Sequence, residues 1–239
     1  MVQNKTDLLR IIGKIQMSRI IIFANGELHQ PEQLKNHLQP GDRIICADGG
    51  ARHALALGLI PEIVIGDLDS LPEQTVERLK SAGTRIIRHP VNKDFTDLEL
   101  AFEWAVAQSP PEIVLVTALG GRLDQMLANI LLLTRPEYAA VPLILWDGTQ
   151  RARLLRPGPP VQISGAPGDT LSLVPLTPQV EGVTLRGVRW PLRNARLHLG
   201  RTLSISNQML GAPAEISFKS GLLLLVQILK HGEENENPN

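Results

Sequence analysis

A single cysteine, Cys46, excludes an internal disulfide across the 239 residues, and its place in the apolar run RIICA reads as a buried strand residue rather than a nucleophile. Net charge is missing too: 24 basic and 24 acidic side chains cancel, so no overall field favours nucleic acid or an anionic membrane. No apolar run reaches the length of a membrane span, and GLLLLVQIL near the C-terminus is broken by Gln227 and followed by Lys230. The opening MVQNKTDLLRIIGKIQ lacks the basic start, apolar core and cleavage site of a secretory leader, so a cytoplasmic setting is expected. The six histidines share no ligand spacing, which sets aside a histidine metal site. Aromatic residues make up only 3%, so each tryptophan draws attention.

What is present is ordinary globular composition, 43% hydrophobic and 20% charged, with room for one large domain or two modest ones. From Arg19 onward short β-rich runs alternate with helical patterns: IIIFA, a helix from Pro31, RIICA, a helix from Ala51, IVI and a helix over Leu71 to Ala82. The series continues with RII, a helix over Thr96 to Ala107, IVLVT, a helix from Leu123, and PLILW. Such alternation predicts βαβ units and a mainly parallel sheet covered on both faces. After Asp147 proline and glycine cluster, and VQIS, TLSLVP, GVTL, TLSIS, AEISF and LLLLV recur at the spacing of an antiparallel β-sandwich. The expected organisation is an α/β domain over residues 17–147 followed by an all-β sandwich over 151–231. Residues 1–16 and 232–239 are expected to be loose termini.

In an open α/β sheet ligands bind beyond the carboxyl ends of the strands. Four junctions there are acidic or glycine-rich. Asp48, Gly49 and Gly50 follow RIICA, and Gly66, Asp67, Asp69 and Ser70 follow IVI. Lys93, Asp94, Thr96 and Asp97 follow RII, and Gly120, Gly121, Arg122 and Asp124 follow IVLVT. Asp67 and Asp69, two apart in extended chain, point the same way, and a pair of carboxylates with no soft ligand suits Mg²⁺. The glycine pairs let main-chain amides approach phosphate, Arg122 offers a bidentate clamp and Lys93 a point charge. Neither GxGxxG nor GxxxxGK[ST] occurs, so the phosphate site belongs to neither of those classes. So many carboxylates would repel a nucleotide unless metal reversed the sign.

CADGGARHAL, IVIGDLDSL, NKDFTDLELA and ALGGRLDQMLAN resemble, in order and spacing, the successive motifs of the thiamine pyrophosphokinase family. GVRWPLRNA and LSISN resemble that family's thiamine-binding β segments. The resemblance covers residues 17 to about 227 and implies transfer of a diphosphoryl group from ATP to the thiamine hydroxyl, with AMP leaving and Mg²⁺ as cofactor. It also implies a homodimer with shared active sites, and no membrane or nucleic-acid partner. Asp67, Asp69 and Asp97 then serve the metal and the reacting centre, with Asp97 also near the thiamine hydroxyl. Asp48 and Asp124 support metal or substrate, while Ser70, Thr96, Arg122, Lys93 and the glycine pairs hold phosphates. Trp190, Ser204, Ser206, Asn207 and Gln125 form the thiamine set, since a flat cationic thiazolium is well held over an indole face. Asn129 is either a site residue or a helix-packing one. Two other readings stay open. One is a different diphosphokinase on the same scaffold, of hydroxymethylpterin type. The other is a nucleotide-sensing module without turnover, which would not require every rim carboxylate.

Overall fold

The computed structural model describes residues 18–90, 94–211 and 213–230. The expectations for residues 1–16 and 232–239, and the phosphate contact of Lys93, fall outside them.

Among the described residues six parallel strands come first: β1 (Ile20–Phe23), β2 (Arg43–Ala47), β3 (Ile63–Gly66), β4 (Arg85–Arg88), β5 (Ile113–Val116) and β6 (Leu143–Asp147). Between them run α1 (Pro31–His37), α2 (Gly50–Ala56), α3 (Glu73–Ser81), α4 (Asp97–Ala107) and α5 (Leu123–Leu132). Every residue of β1, β3 and β5 is buried, as expected for strands covered on both faces. Alternation along the strand divides the core. Ile20 and Ile22 face Leu98, Ala101 and Phe102 of α4, whereas Ile21 and Phe23 face Leu34 of α1, Ala51 and Ala54 of α2, and Leu79 of α3. Cys46 lies in the second of these cores, and burial pushes its thiol pKa far up.

The spatial order of the parallel strands is β4-β3-β2-β1-β5-β6. The chain steps outward from β1 to β4, then α4 crosses back and the order resumes at β5, so the switch point lies between β1 and β5.

Main-chain pairing continues past Asp147. β6 turns tightly into antiparallel β7 (Gln150–Leu155), and β14 (Leu223–Ile228), β9 (Thr170–Pro175) and the short β12 (Asn207–Gln208) extend the sheet to ten strands. A second sheet, ordered β11 (Leu192–His198), β10 (Gln179–Arg186), β13 (Ala214–Ser217) and β8 (Val161–Ile163), packs on this extension. Leu171, Leu173, Leu223 and Leu225 of the large sheet meet Ile163, Val183, Leu185 and Ile216 of the small one. An α/β layer structure followed by a β-sandwich is therefore present, with one sheet common to both.

Two local expectations differ. TLSIS, expected as a strand, is a turn: Ser206 has φ 58°, Leu203 is 76% exposed, and after one main-chain bond from the Leu173 amide to the Ser204 carbonyl the Ser206 amide donates to the Ser172 hydroxyl at 2.9 Å and not to a main-chain carbonyl. β7 and β11 are strands that the apolar pattern hides, because Arg151 and Arg153 interrupt RARLL and the polar residues Arg193, Asn194 and Arg196 interrupt LRNARLH.

Candidate active site

β2 and β3 are neighbours in register, Ala47 beside Ile65, so the residues that follow them emerge side by side. Asp48 takes φ 43°, a left-handed turn that aspartate tolerates better than most residues, and its amide donates to the Ile65 carbonyl at 2.8 Å. Gly66 makes the close approach possible. A Cβ there would lie 2.9 Å from Asp48 Cβ and 3.2 Å from Asp97 Cγ. Asp97 arrives from the third direction as the first residue of α4, whose N-cap Thr96 accepts from the Glu99 amide at 3.2 Å. One carboxylate oxygen from each of Asp48, Asp67 and Asp97 thus falls within 4.8 Å of the others. Asp48 is only 6% exposed, and among the described residues its buried Oδ1 has no hydrogen-bond partner.

The acidic pair expected at Asp67 and Asp69 is therefore split. Asp67 joins the trio, while exposed Asp69 sits beside it, its amide donating to Asp67 Oδ1 at 3.1 Å and its Oδ1 accepting from Ser70 Oγ at 3.2 Å. Asp48, placed by sequence among supporting residues, is the third member of the convergent group.

Asn25, Gly26 and Glu27 follow β1 at the switch point, and sequence reading passed over them. A Cβ on Gly49 would lie 2.4 Å from Asn25 Oδ1, one on Gly50 2.1 Å from the Phe23 carbonyl, and one on Gly120 2.7 Å from Glu27. Gly50, set against main-chain atoms, is therefore required for packing at the rim, whereas Gly49 and Gly120 meet side chains. The signal that could have found the loop is the ANG turn immediately after a strand. Gly120 and Gly121 adopt φ 80° and 73°, and Arg122, the N-cap of α5, is paired with Asp124, Nε to Oδ1 at 3.1 Å. Both members are exposed, so the pair is weak and the guanidinium is not committed to it. Gln125 is exposed on the first turn of α5, whereas Asn129 donates to the Ala118 carbonyl at 2.9 Å and ties the helix to the loop before it.

His29 bridges two acidic groups of the same rim, Asp147 through Nδ1 and Glu27 through Nε2, both at 3.0 Å. The bond to Asp147, then that to Glu27, raises its pKa above 6.5. A raised value means that the tie between the β1 and β6 loops is fully present below about pH 6.5 and is lost as pH rises through the elevated midpoint. Proton NMR titration should place the His29 midpoint above 6.5 and Asp147→Asn should lower it; a midpoint at or below 6.5 would contradict this assignment.

In the β part, Asn207 holds the main chain of Trp190 from both sides. Its Oδ1 accepts from the Trp190 amide at 3.1 Å and its Nδ2 donates to the Trp190 carbonyl at 2.7 Å. The indole is left 54% exposed, with the Arg189 guanidinium 4.9 Å from its centroid, so the ring already receives a cation. Ser206 is exposed next to this clamp, whereas the Ser204 hydroxyl is committed to Leu173. Trp146 is buried and stacked on His37 at 4.2 Å, a packing role.

Two family profiles match the chain: thiamin pyrophosphokinase, catalytic domain, over residues 34–145, and thiamin pyrophosphokinase, vitamin B1 binding domain, over residues 161–223. Thiamine pyrophosphokinase of Bacillus subtilis is 30% identical over 211 residues, spanning 88% of this chain and 99% of the relative. The chain belongs to the thiamin pyrophosphokinase family. The crystal structure of the Bacillus subtilis family member superposes with a TM-score of 0.81 over 90% of this chain and 100% of that one. That of the Geobacillus thermodenitrificans family member gives 0.78 at 30% identity, over 90% and 99%. Thiamine pyrophosphokinase 1 of Arabidopsis thaliana is 26% identical over 79% of each chain. The catalytic-domain profile of the thiamin pyrophosphokinase family spans the carboxylate trio and the rim from Asp48 to Asp124, and its vitamin B1 binding profile spans Trp190, Ser204, Ser206 and Asn207. Asn25 and Glu27 precede both matches.

Proposed function

We propose that the protein transfers the terminal diphosphoryl group of ATP to the hydroxyl of thiamine, giving thiamine diphosphate and AMP. The observation that carries this reading is the convergence of Asp48, Asp67 and Asp97 at a parallel-sheet rim in a chain of this family. Three crowded carboxylates with one buried, unpartnered oxygen make a set of hard oxygen donors, which fits Mg²⁺. Asp67 and Asp97 would hold the ion, with Asp48 behind them and Asp69 on the solvent side, and it would supply neutralisation of phosphoryl charge.

The chain's own groups do the positioning that such a transfer needs. Gly120, Gly121 and Arg122 at the start of α5, with Gly49 and Gly50 at the start of α2, orient the phosphates; Ser70 and Thr96 add hydroxyls at the other side of the rim. Asp97 orients the attacking hydroxyl. Trp190, fixed by Asn207, covers the thiazolium and excludes water, with Ser206 and Gln125 at its edges. Residues 17–147 act as the catalytic unit and 151–231 as the thiamine-binding unit.

A second copy of the chain completes the site. Residues 17–147 carry 17 acidic and 11 basic side chains, residues 151–231 carry 3 and 10, so the β unit of one copy complements the acidic rim of another. Leu123, Leu127 and Leu131 form an exposed stripe along α5, and Leu199 and Leu203 are exposed in the β unit; a homodimer supplies their cover. No described helix is long and apolar enough to cross a membrane. A cytoplasmic setting suits the free thiol of Cys46.

The vitamin B1 binding match favours thiamine over a pterin. AMP release should follow addition of thiamine to enzyme, ATP and Mg²⁺, and stay at background with hydroxymethylpterin. The reverse preference would assign the scaffold to the other diphosphokinase, and no release with either acceptor would leave a nucleotide-sensing module.

A further inference from the structure

The antiparallel extension of the large sheet holds two cations for which the transfer reaction has no use. β7 carries Arg151 and Arg153 two residues apart, so both side chains leave the same face of the sheet. They stand opposite Trp146 and Ile144 of β6 on one side and Gln227 and Leu225 of β14 on the other. Helix α1 covers this face toward β1, and the four-stranded sheet covers it toward β9. At the seam lies a cavity of about 140 Å³, lined by Arg151 and Arg153 with Ile144, Gln162, Ser164 and Gln227. Ile144 aligns with Val114, Ile21 and Ile44 in the amino-terminal half of the parallel sheet, whereas the carboxylate trio stands at the carboxyl ends.

Like charges gathered in a partly buried seam are normally offset by carboxylates. Among the described residues neither guanidinium has an ion-pair partner within 4.0 Å. Glu112, whose charge reaches Arg153, is engaged by Arg19 at 3.4 Å. Arg151 is held rigidly, with Nε donating to Gln227 Oε1 at 2.9 Å and Nη2 to the Ser164 carbonyl at 2.6 Å. Gln227, 3% exposed, also donates to that carbonyl, at 3.0 Å. Arg153 has far less: Nη2 reaches the Gln162 carbonyl at 3.3 Å, and Nε is buried with no partner among the described residues. Burial, and then Arg151, pull its pKa below the ordinary arginine value. One guanidinium is thus fixed and its neighbour is left with an unmet buried donor.

We propose that this seam is an anion site that takes a small phosphate-like oxyanion between Arg151 and Arg153. A tetrahedral oxyanion offers acceptors to two guanidinium forks at once and cancels their mutual repulsion. The cavity is well below the roughly 300 Å³ at which sites for drug-sized molecules begin, which selects inorganic phosphate over a nucleotide. The bound anion would hold both guanidiniums, which themselves donate to the Ser164 and Gln162 carbonyls at the edge of the four-stranded sheet, so its effect is read as stability of the whole chain.

The test is thermal unfolding of the full-length protein in rising inorganic phosphate, against sodium chloride of equal ionic strength. The wild type should gain several degrees in phosphate over chloride, by mass action on the folded state. Arg153→Met should lose that gain and, without phosphate, melt no lower than the wild type, because a like-charge contact is gone. Arg122→Ala, at the rim, should keep the gain. Absence of a gain in the wild type, its persistence in Arg153→Met, or its loss in Arg122→Ala would each overturn the proposal. Should Arg153→Met not fold, isothermal titration of Arg153→Lys decides: the charge is kept and the fork lost, so phosphate should bind at least about fivefold more weakly, and equal affinity would overturn the site.

Discussion

Asp67→Asn is expected to lower turnover by about 10²–10³-fold, the range typical of losing a group that stabilises charge at a reacting centre. The protein should fold normally, since Asp67 stands on a rim and not in a core. The electrostatics give the sign for stability. Asp48, Asp67 and Asp97 hold oxygens within 4.8 Å of one another, so without metal the substitution removes repulsion and the melting temperature should stay level or rise. Added Mg²⁺ should raise the melting temperature of the wild type more than that of the variant. Near-normal turnover in a folded Asp67→Asn protein would remove the trio from the chemistry.

Trp190→Ala is expected to weaken thiamine binding at least roughly tenfold, because cation–π contact in a desolvated site is worth about 2 kcal/mol and about 1.4 kcal/mol is a factor of ten. ATP affinity should barely change. The clamp by Asn207 acts on the main chain of Trp190, so truncating the indole leaves it intact. A shared site adds a sharper expectation. Mixing Trp190→Ala protein with Asp67→Asn protein under exchanging conditions should restore part of the activity, since one site of each mixed dimer is then whole. Mixed dimers with no recovered activity would place both residues of a site in one chain.

The parallel strands and their helices were legible because apolar runs and helical periodicity are local properties, and each junction carries its own turn chemistry. IVIGDLDSL displays the end of β3 and Asp67 in one stretch. The third member of the trio was less legible, because Asp48 reaches Asp67 only through the β2–β3 pairing and the space opened by Gly66, which are tertiary facts. Asn25 and Glu27 went unseen for a related reason: their partners Gly49 and Gly120 are 24 and 93 residues away. TLSIS has the composition of a strand, yet Ser206 turns left-handed and its amide is taken up by the Ser172 hydroxyl, so pairing with β9 stops after the Leu173–Ser204 bond. In β7 the buried residues are Ala152 and Leu155, and the half-buried Arg151 and Arg153 break the apolar run, so hydropathy alone does not mark the strand that carries the large sheet into the β part.

The most direct test of the reaction follows the γ-phosphorus of ATP. With enzyme, Mg²⁺, thiamine and γ-labelled ATP, the label should appear in the terminal phosphate of thiamine diphosphate, with unlabelled AMP in equal amount. Label in thiamine monophosphate with release of ADP would show transfer of a single phosphoryl group and contradict the account.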